Sequence, residues 1–243
     1  MRSPGRAQDR VEERANALTH GIGTALAVAA LAVMVTFASL RGSARHVVGA
    51  ALFGATLVLL YLMSTLYHAL RGPRAKKVFK ILDHAAIYLL ISGTYTPFCL
   101  AVLKGAWGWS LFGVIWGLAV LGVTLKAVTY GLWLPLPPPP AVDHLHSVPE
   151  PPRRMPRGIS ALSLAVYLAM GWLIVIAIVP LWRALSPGGL AWLFAGGACY
   201  TLGAGFYGWR SLRFHHAVWH LWVMAGSACH VAAVLWHVIP GRG

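Results

Sequence analysis

Apolar residues in this chain run in seven long blocks, approximately 20–40, 47–70, 82–103, 107–129, 159–182, 189–208 and 216–238. Each is close to the ~20 residues that a helix needs to cross a bilayer. Polar residues collect between the blocks. Three connections are short, at 41–46, 71–81 and around 103–108. The fourth, PLPPPPAVDHLHSVPEPPRRMPRG (135–158), is rich in proline. Proline lacks the amide hydrogen a helix requires, so this stretch predicts an extended, solvated loop. The pattern predicts an all-α membrane protein. A bundle of seven transmembrane helices fills residues 20–243, after an N-terminal segment at 1–19.

Composition agrees. Of 243 residues 58% are hydrophobic and 11% charged, with a mean hydropathy of +0.67, whereas a soluble domain carries about a quarter charged residues. The net charge of +14 does not point to nucleic acid, because the basic residues sit in short segments between apolar blocks. With the N-terminus in the cytoplasm, segments on that side hold 15 of the 20 Lys and Arg, among them Arg2, Arg6, Arg71, Lys76, Lys126 and Arg210. The opposite segments hold Arg41, Arg45, Lys104, Arg183 and Arg242. This bias predicts a multi-pass protein of the inner (plasma) membrane, N-terminus cytoplasmic and C-terminus outside. Residues 1–17 have no apolar core, so the first block is expected to act as its own insertion signal. Cys99, Cys199 and Cys229 are an odd, scattered set and read as buried hydrophobes rather than a disulfide framework.

That orientation assigns each polar residue within a block to one end of its helix. Ser64 and His68 fall near the cytoplasmic end of the second block, and Asp83 and His84 at the start of the third. His216 and His220 open the seventh, and Asn16, Thr19 and His20 the first. Ionisable groups inside a bilayer need partners, and these share one depth. His216 and His220 are four apart and so lie on one helical face. With His68 they make three nitrogen ligands, the number found in catalytic zinc sites that keep a fourth position open to water. Asp83 can move a proton from such a water. Ser64, one turn before His68, can support a ligand or a substrate oxygen.

The same residues carry a family resemblance. EERANALTHGIG (12–23), YLMSTLYH (61–68), LDHAAIYLLISGTYTPF (82–98), MGW (170–172) and HAVWHLWVMAGSACH (216–230) resemble the bacterial hemolysin III family. That family is a branch of the progestin and adiponectin receptor-like superfamily. The resemblance implies zinc on His68, His216 and His220, with Asp83 reaching the metal through a water and Ser64 nearby. Distant similarity to alkaline ceramidases implies metal-dependent hydrolysis of a carbon–nitrogen (amide) or ester bond in a lipid-like substrate, with membrane lipid as the partner. The family name implies instead a membrane-permeabilising cytolysin, and the receptor branch a ligand sensor with a structural zinc. The proline-rich loop departs from the family pattern.

Plainer readings stand beside these. The histidines can clamp the second helix to the seventh without catalysis, Asp83 can cap its helix, and Ser64 can bond back to its own backbone. His20 is expected to anchor the first helix rather than bind metal. His84 is expected to point away from the site, and His230 to be packed or hydrogen-bonded. Gly203, Gly205 and Gly208 spell G-x-G-x-x-G inside an apolar block, where close helix packing is the better reading. Asp143, His144 and His146 are expected to be solvated loop residues.

Overall fold

Seven helices long and apolar enough to cross a membrane emerge from these blocks in a computed structural model, and no strand occurs among the described residues. The structure describes residues 9–103, 105–133 and 157–240. The proline-rich stretch lies outside them as far as residue 156, so Asp143, His144 and His146 are not placed. Helix α1 spans Arg10–Arg41, α2 Ala44–Ala69 and α3 Pro73–Pro97, the last continuing as a π-turn over Phe98–Leu103. Then come α4 at Gly105–Trp133, α5 at Arg157–Trp172 and α6 at Ile178–Ala184, with a 3-10 stretch, Leu173–Ala177, between the last two. Helices α7, Pro187–Gly208, and α8, His215–Ala233, complete the bundle, and α8 ends in a π-turn, Val234–Val238.

Two helices begin earlier than hydropathy alone predicts. Helix α1 starts at Arg10, not near residue 20, because Asp9 and Glu12 form a capping box. Asp9 Oδ1 accepts from the amides of Val11 and Glu12, and Glu12 Oε2 accepts from the Asp9 amide. Such a box satisfies amides that a helix start leaves unpaired. Helix α3 starts at Pro73, whose fixed φ suits the first helical position, so much of the expected connection at 71–81 is helix.

The fifth span is broken at mid-depth. Pro180 has no N–H for the carbonyl four residues back, and the five residues before α6 tighten into a 3-10 turn. Unpaired backbone is costly in a bilayer. Here the Tyr95 hydroxyl from α3 donates to the carbonyls of Met170 and Gly171, each at 2.8 Å, and accepts from the Ile174 amide at 2.7 Å.

Helix α3 is the most buried span and touches α2, α4 and α5. Close backbone approach explains the α2–α3 seam. A Cβ on Gly49 would lie 2.9 Å from Pro97 Cα, and one on Gly93 would strike Thr56 Oγ1 at 2.0 Å. Lipid is as apolar as leucine, so contact and interhelical hydrogen bonds hold such seams. Ser92 Oγ donating to the Ile115 carbonyl and Trp116 Nε1 to Thr96 Oγ1 are two of them. Phe53, Leu57, Phe98, Ile115, Leu181 and Val234 fill the core. Of Gly203, Gly205 and Gly208 in α7, only Gly203 meets a close neighbour, with Trp222 Cβ 2.7 Å from a built Cβ, while Gly205 and Gly208 face open space. The sum of these contacts brings the last turn of α2 and the first turns of α1, α3 and α8 to one end of the bundle.

Candidate metal centre

His68 stands in the last turn of α2, and His216 and His220 in the first turns of α8. Helix α1 packs on both α2 and α8 and holds them together. The three rings meet with centroids 4.6 Å apart for His216 and His220, 5.0 Å for His68 and His216, and 5.3 Å for His68 and His220. One ligand nitrogen from each lies within 4.8 Å of the others. An ion bonded at ~2.0–2.1 Å to each nitrogen fits such a group.

Burial leaves one ring nitrogen open on all three, and hydrogen bonding orients two of them. The Nε2 atoms of His68, His216 and His220 are buried without a hydrogen-bond partner, a costly state for a polar atom unless something else occupies it. His68 Nδ1 lies 3.2 Å from Glu13 Oε2. A carboxylate only accepts, so Nδ1 carries the hydrogen and Nε2 keeps the lone pair in the neutral ring. His220 Nδ1 lies 3.1 Å from Thr19 Oγ1, whose own hydrogen is directed to the carbonyls of Ala15 and Asn16. Nδ1 therefore donates here too, and Nε2 is again the free lone pair. Carboxylate or hydroxyl groups behind a ligating histidine are the usual way a metal site sets tautomer and ring direction.

Glu13 is the residue that sequence reasoning missed. It is also bridged by Lys76 Nζ at 2.6 Å, which donates to the Tyr67 carbonyl at 2.7 Å as well. Its neighbour Glu12 accepts the Phe214 amide at 2.9 Å through Oε1. Phe214 caps α8 in the left-handed region, at φ 58°, a conformation that costs energy in a residue with a side chain. Adjacent glutamates thus grip the histidine of α2 and the start of α8. The capping signal D-x-x-E is present in the chain, and Glu12 and Glu13 open the EERANALTHGIG motif, but neither signal assigns them a contact with the histidines.

The other expected residues are placed as follows. Asp83 is buried outside the histidine cluster and lines the same cavity as His68 and His216. Ser64 is buried beside Asp83, without a hydrogen bond of ordinary geometry. His20 stacks on His220 with centroids 3.4 Å apart and an interplanar angle of 12°. His84 turns its Nδ1 to the Lys80 carbonyl at 2.9 Å, yet it lines the same cavity with that nitrogen 3.6 Å from Asp83 Oδ2, so it does not point away from the site. His230 bonds the Leu193 carbonyl through Nε2 at 3.1 Å. Of the cysteines Cys99 is buried, while Cys199 and Cys229 are half-buried.

Two cavities meet at the centre. A polar vestibule of about 290 Å³ opens over His68, His216 and Asp83. A largely apolar cavity of about 140 Å³ runs deeper, past His20, Phe98, Phe194 and Trp172. Asp83, Ile87, Leu164, Tyr167 and Trp219 line both.

The profile of the family described as haemolysin-III related matches residues 8–231. The chain belongs to the haemolysin-III family. The "Hemolysin-3" of Bacillus cereus is 43% identical over 229 residues, covering 94% of this chain and 93% of its own. The "Hemolysin-3 homolog" of Bacillus subtilis (strain 168) is 40% identical over 228 residues, 94% and 95% of the two chains. The human "Monocyte to macrophage differentiation factor" is 24% identical over 229 residues, 92% and 83%. A haemolysin-III chain is a multi-pass membrane protein, and in this one His68, His216 and His220 form a group that can hold a metal ion.

Proposed function

We propose that this haemolysin-III protein is a zinc-dependent hydrolase of a lipid-like amide or ester. The observation that carries the reading is the trio of buried, unpartnered Nε2 atoms on His68, His216 and His220. Neutral imidazole nitrogens and no thiolate suit zinc. Three protein ligands leave room for a fourth, the open arrangement of catalytic sites rather than the closed one of structural sites. A zinc ion there would supply Lewis acidity, polarising a carbonyl and making water nucleophilic near neutral pH.

The protein's own groups divide the remaining work. Asp83, on the wall shared by the two cavities, takes a proton from attacking water and returns it to the leaving group. Ser64, beside Asp83, orients that carboxylate or meets the substrate oxygen. Glu13 and Thr19 hold the His68 and His220 rings. The apolar cavity takes the substrate's chain, and the vestibule its polar end. The Lys and Arg distribution supports a cytoplasmic N-terminus in the inner membrane, which puts the vestibule on the cytoplasmic side.

The test is purification in nanodiscs, metal analysis, and hydrolysis of ceramide-like and acyl-ester substrates by wild type, His216→Ala and Asp83→Asn. Zinc near one per chain, with turnover lost in both variants, is the expected result. Bound zinc with no hydrolysis across a broad substrate panel would sink the enzyme reading. The name of the Bacillus cereus relative, "Hemolysin-3", favours a second reading, a membrane-permeabilising cytolysin. Dye release from liposomes decides it: leakage equal in wild type and His216→Ala supports a pore independent of the metal. If neither activity is found and zinc removal only lowers stability, the centre is structural, as in a ligand sensor.

A further inference from the structure

Lys126 of α4 is only 5% exposed, and its Nζ donates to Ser163 Oγ on α5 at 2.6 Å. The ammonium lies 5.3 Å from the ring centre of Tyr130 and 5.7 Å from that of Tyr167. Lys80 of α3 approaches the same Tyr130 ring to 5.7 Å. Among the described residues, no carboxylate comes within 4.0 Å of either ammonium. Both lysines line the vestibule together with Arg210 of the α7–α8 connection, and Asp83 is the one carboxylate among its lining residues. Glu13 is engaged by His68 and Lys76.

Cations gathered in a membrane-embedded cavity without matching carboxylates are costly. A divalent ion on the histidines would make the cavity more positive still. An anion within the cavity offsets that cost, and an excess of about two charges matches a phosphate group, which carries −1.5 to −2 at pH 7 and three strong acceptor oxygens. Ammonium, guanidinium and the Tyr67 and Tyr130 hydroxyls are the donors such oxygens require. The wall shared with the apolar cavity argues that the phosphate arrives attached to a chain.

We propose that the vestibule formed by Lys80, Lys126 and Arg210 binds the phosphate headgroup of a lipid whose chain enters the adjoining apolar cavity. The inference rests on the metal centre being a lipid site, and it narrows the substrate class to phosphate-bearing lipid amides or esters. Lys126, held by Ser163, is the specificity-determining residue.

Native mass spectrometry of the zinc-loaded protein tests this with three probes: 1-palmitoyl-lysophosphatidate, 1-palmitoylglycerol and inorganic phosphate. The lysophosphatidate is expected to bind at least about tenfold tighter than the neutral glycerol ester, as loss of charge-assisted bonds implies. Lys126→Met and Arg210→Gln should each shrink that preference several-fold with zinc content unchanged, while Lys126→Arg keeps it. If Lys126→Met does not fold, Arg210→Gln and Lys126→Arg carry the comparison. Equal affinity for the two lipids overturns the proposal, as does a preference untouched by either loss of charge. Inorganic phosphate binding as tightly as the lysolipid also overturns it, by assigning the vestibule to the free ion. Turnover of a neutral lipid amide by the same samples separates the two ideas. Headgroup preference without hydrolysis removes only the hydrolase reading, and hydrolysis without preference removes only this one.

Discussion

Glu13 Oε2 sits 3.2 Å from His68 Nδ1, joining the first turn of α1 to the last turn of α2. The pair is 55 residues apart in sequence. It sets the tautomer of His68 and ties α1 to the three-histidine group that can hold a metal ion.

Removing that carboxylate is expected to weaken metal binding without abolishing it. Glu13→Ala should lower zinc affinity by about 10–100-fold, the usual effect of losing a partner behind a ligating histidine. Glu13→Gln should lose less, because its amide oxygen still accepts from Nδ1. Competition with a chromophoric chelator measures both. Equal affinity in wild type and Glu13→Ala would mean that the contact does not position the ligand.

Metal removal is expected to destabilise the wild type selectively. An ion present at 100 times its Kd adds about 2.7 kcal/mol to the folded state, so a chelator should lower the Tm of the wild type. His68→Ala should hold little zinc, melt lower at the outset, and show no further change with chelator. An equal chelator response in both proteins would place the ion somewhere else.

Glu12 makes a separate prediction about the entrance to α8. Its Oε1 accepts the Phe214 amide two residues before His216, at a strained left-handed position. Glu12→Ala should cost about 1–3 kcal/mol, the cost of an unsatisfied amide, and also weaken zinc binding, since it loosens the turn that aims His216. Glu12→Gln should retain only part of each, because it has one accepting oxygen for the two backbone amides, of Asp9 and Phe214, that the carboxylate serves. Thermal melts paired with zinc titration report the two effects. A stability loss with zinc affinity unchanged would show that Phe214 does not aim the ligand.

Tyr95→Phe is expected to separate the two effects. It strips the fifth span of the hydroxyl that serves the carbonyls of Met170 and Gly171 and the amide of Ile174. Stability should fall by about 1–3 kcal/mol. Zinc affinity should not change, because Tyr95 lies twelve residues along α3 from Asp83, about 18 Å at 1.5 Å per residue. Loss of zinc in this variant would reveal coupling between the broken span and the centre.

The seven spans and the family were legible in the chain because they are written in contiguous residues. A bilayer sets the length of an apolar block, and a helix sets the four-residue spacing of His216 and His220. The His68 partner was reachable as well, since helix ends at one membrane depth can be lined up by counting spans. The local signals of Asp9 with Glu12 and of Pro73 at a helix start are also contiguous, and they move two helix starts outward, one into the N-terminal segment and one into the connection at 71–81.

What only the tertiary structure decided depends on which faces the helices turn to one another. Glu13 behind His68, Thr19 behind His220, and His20 stacked on His220 follow from how α1 rotates against α2 and α8, and no periodicity encodes that rotation. Pro180 announces a break in the fifth span, yet the hydroxyl that makes the break tolerable comes from Tyr95 on another helix. Lys126 reads in sequence as one more basic residue on the N-terminal side, and only packing turns it into a vestibule with Lys80 and Ser163. Ligand spacing is a short-range property of one helix. The groups that hydrogen-bond those histidines, and the cavities beside them, arise where several helices cross.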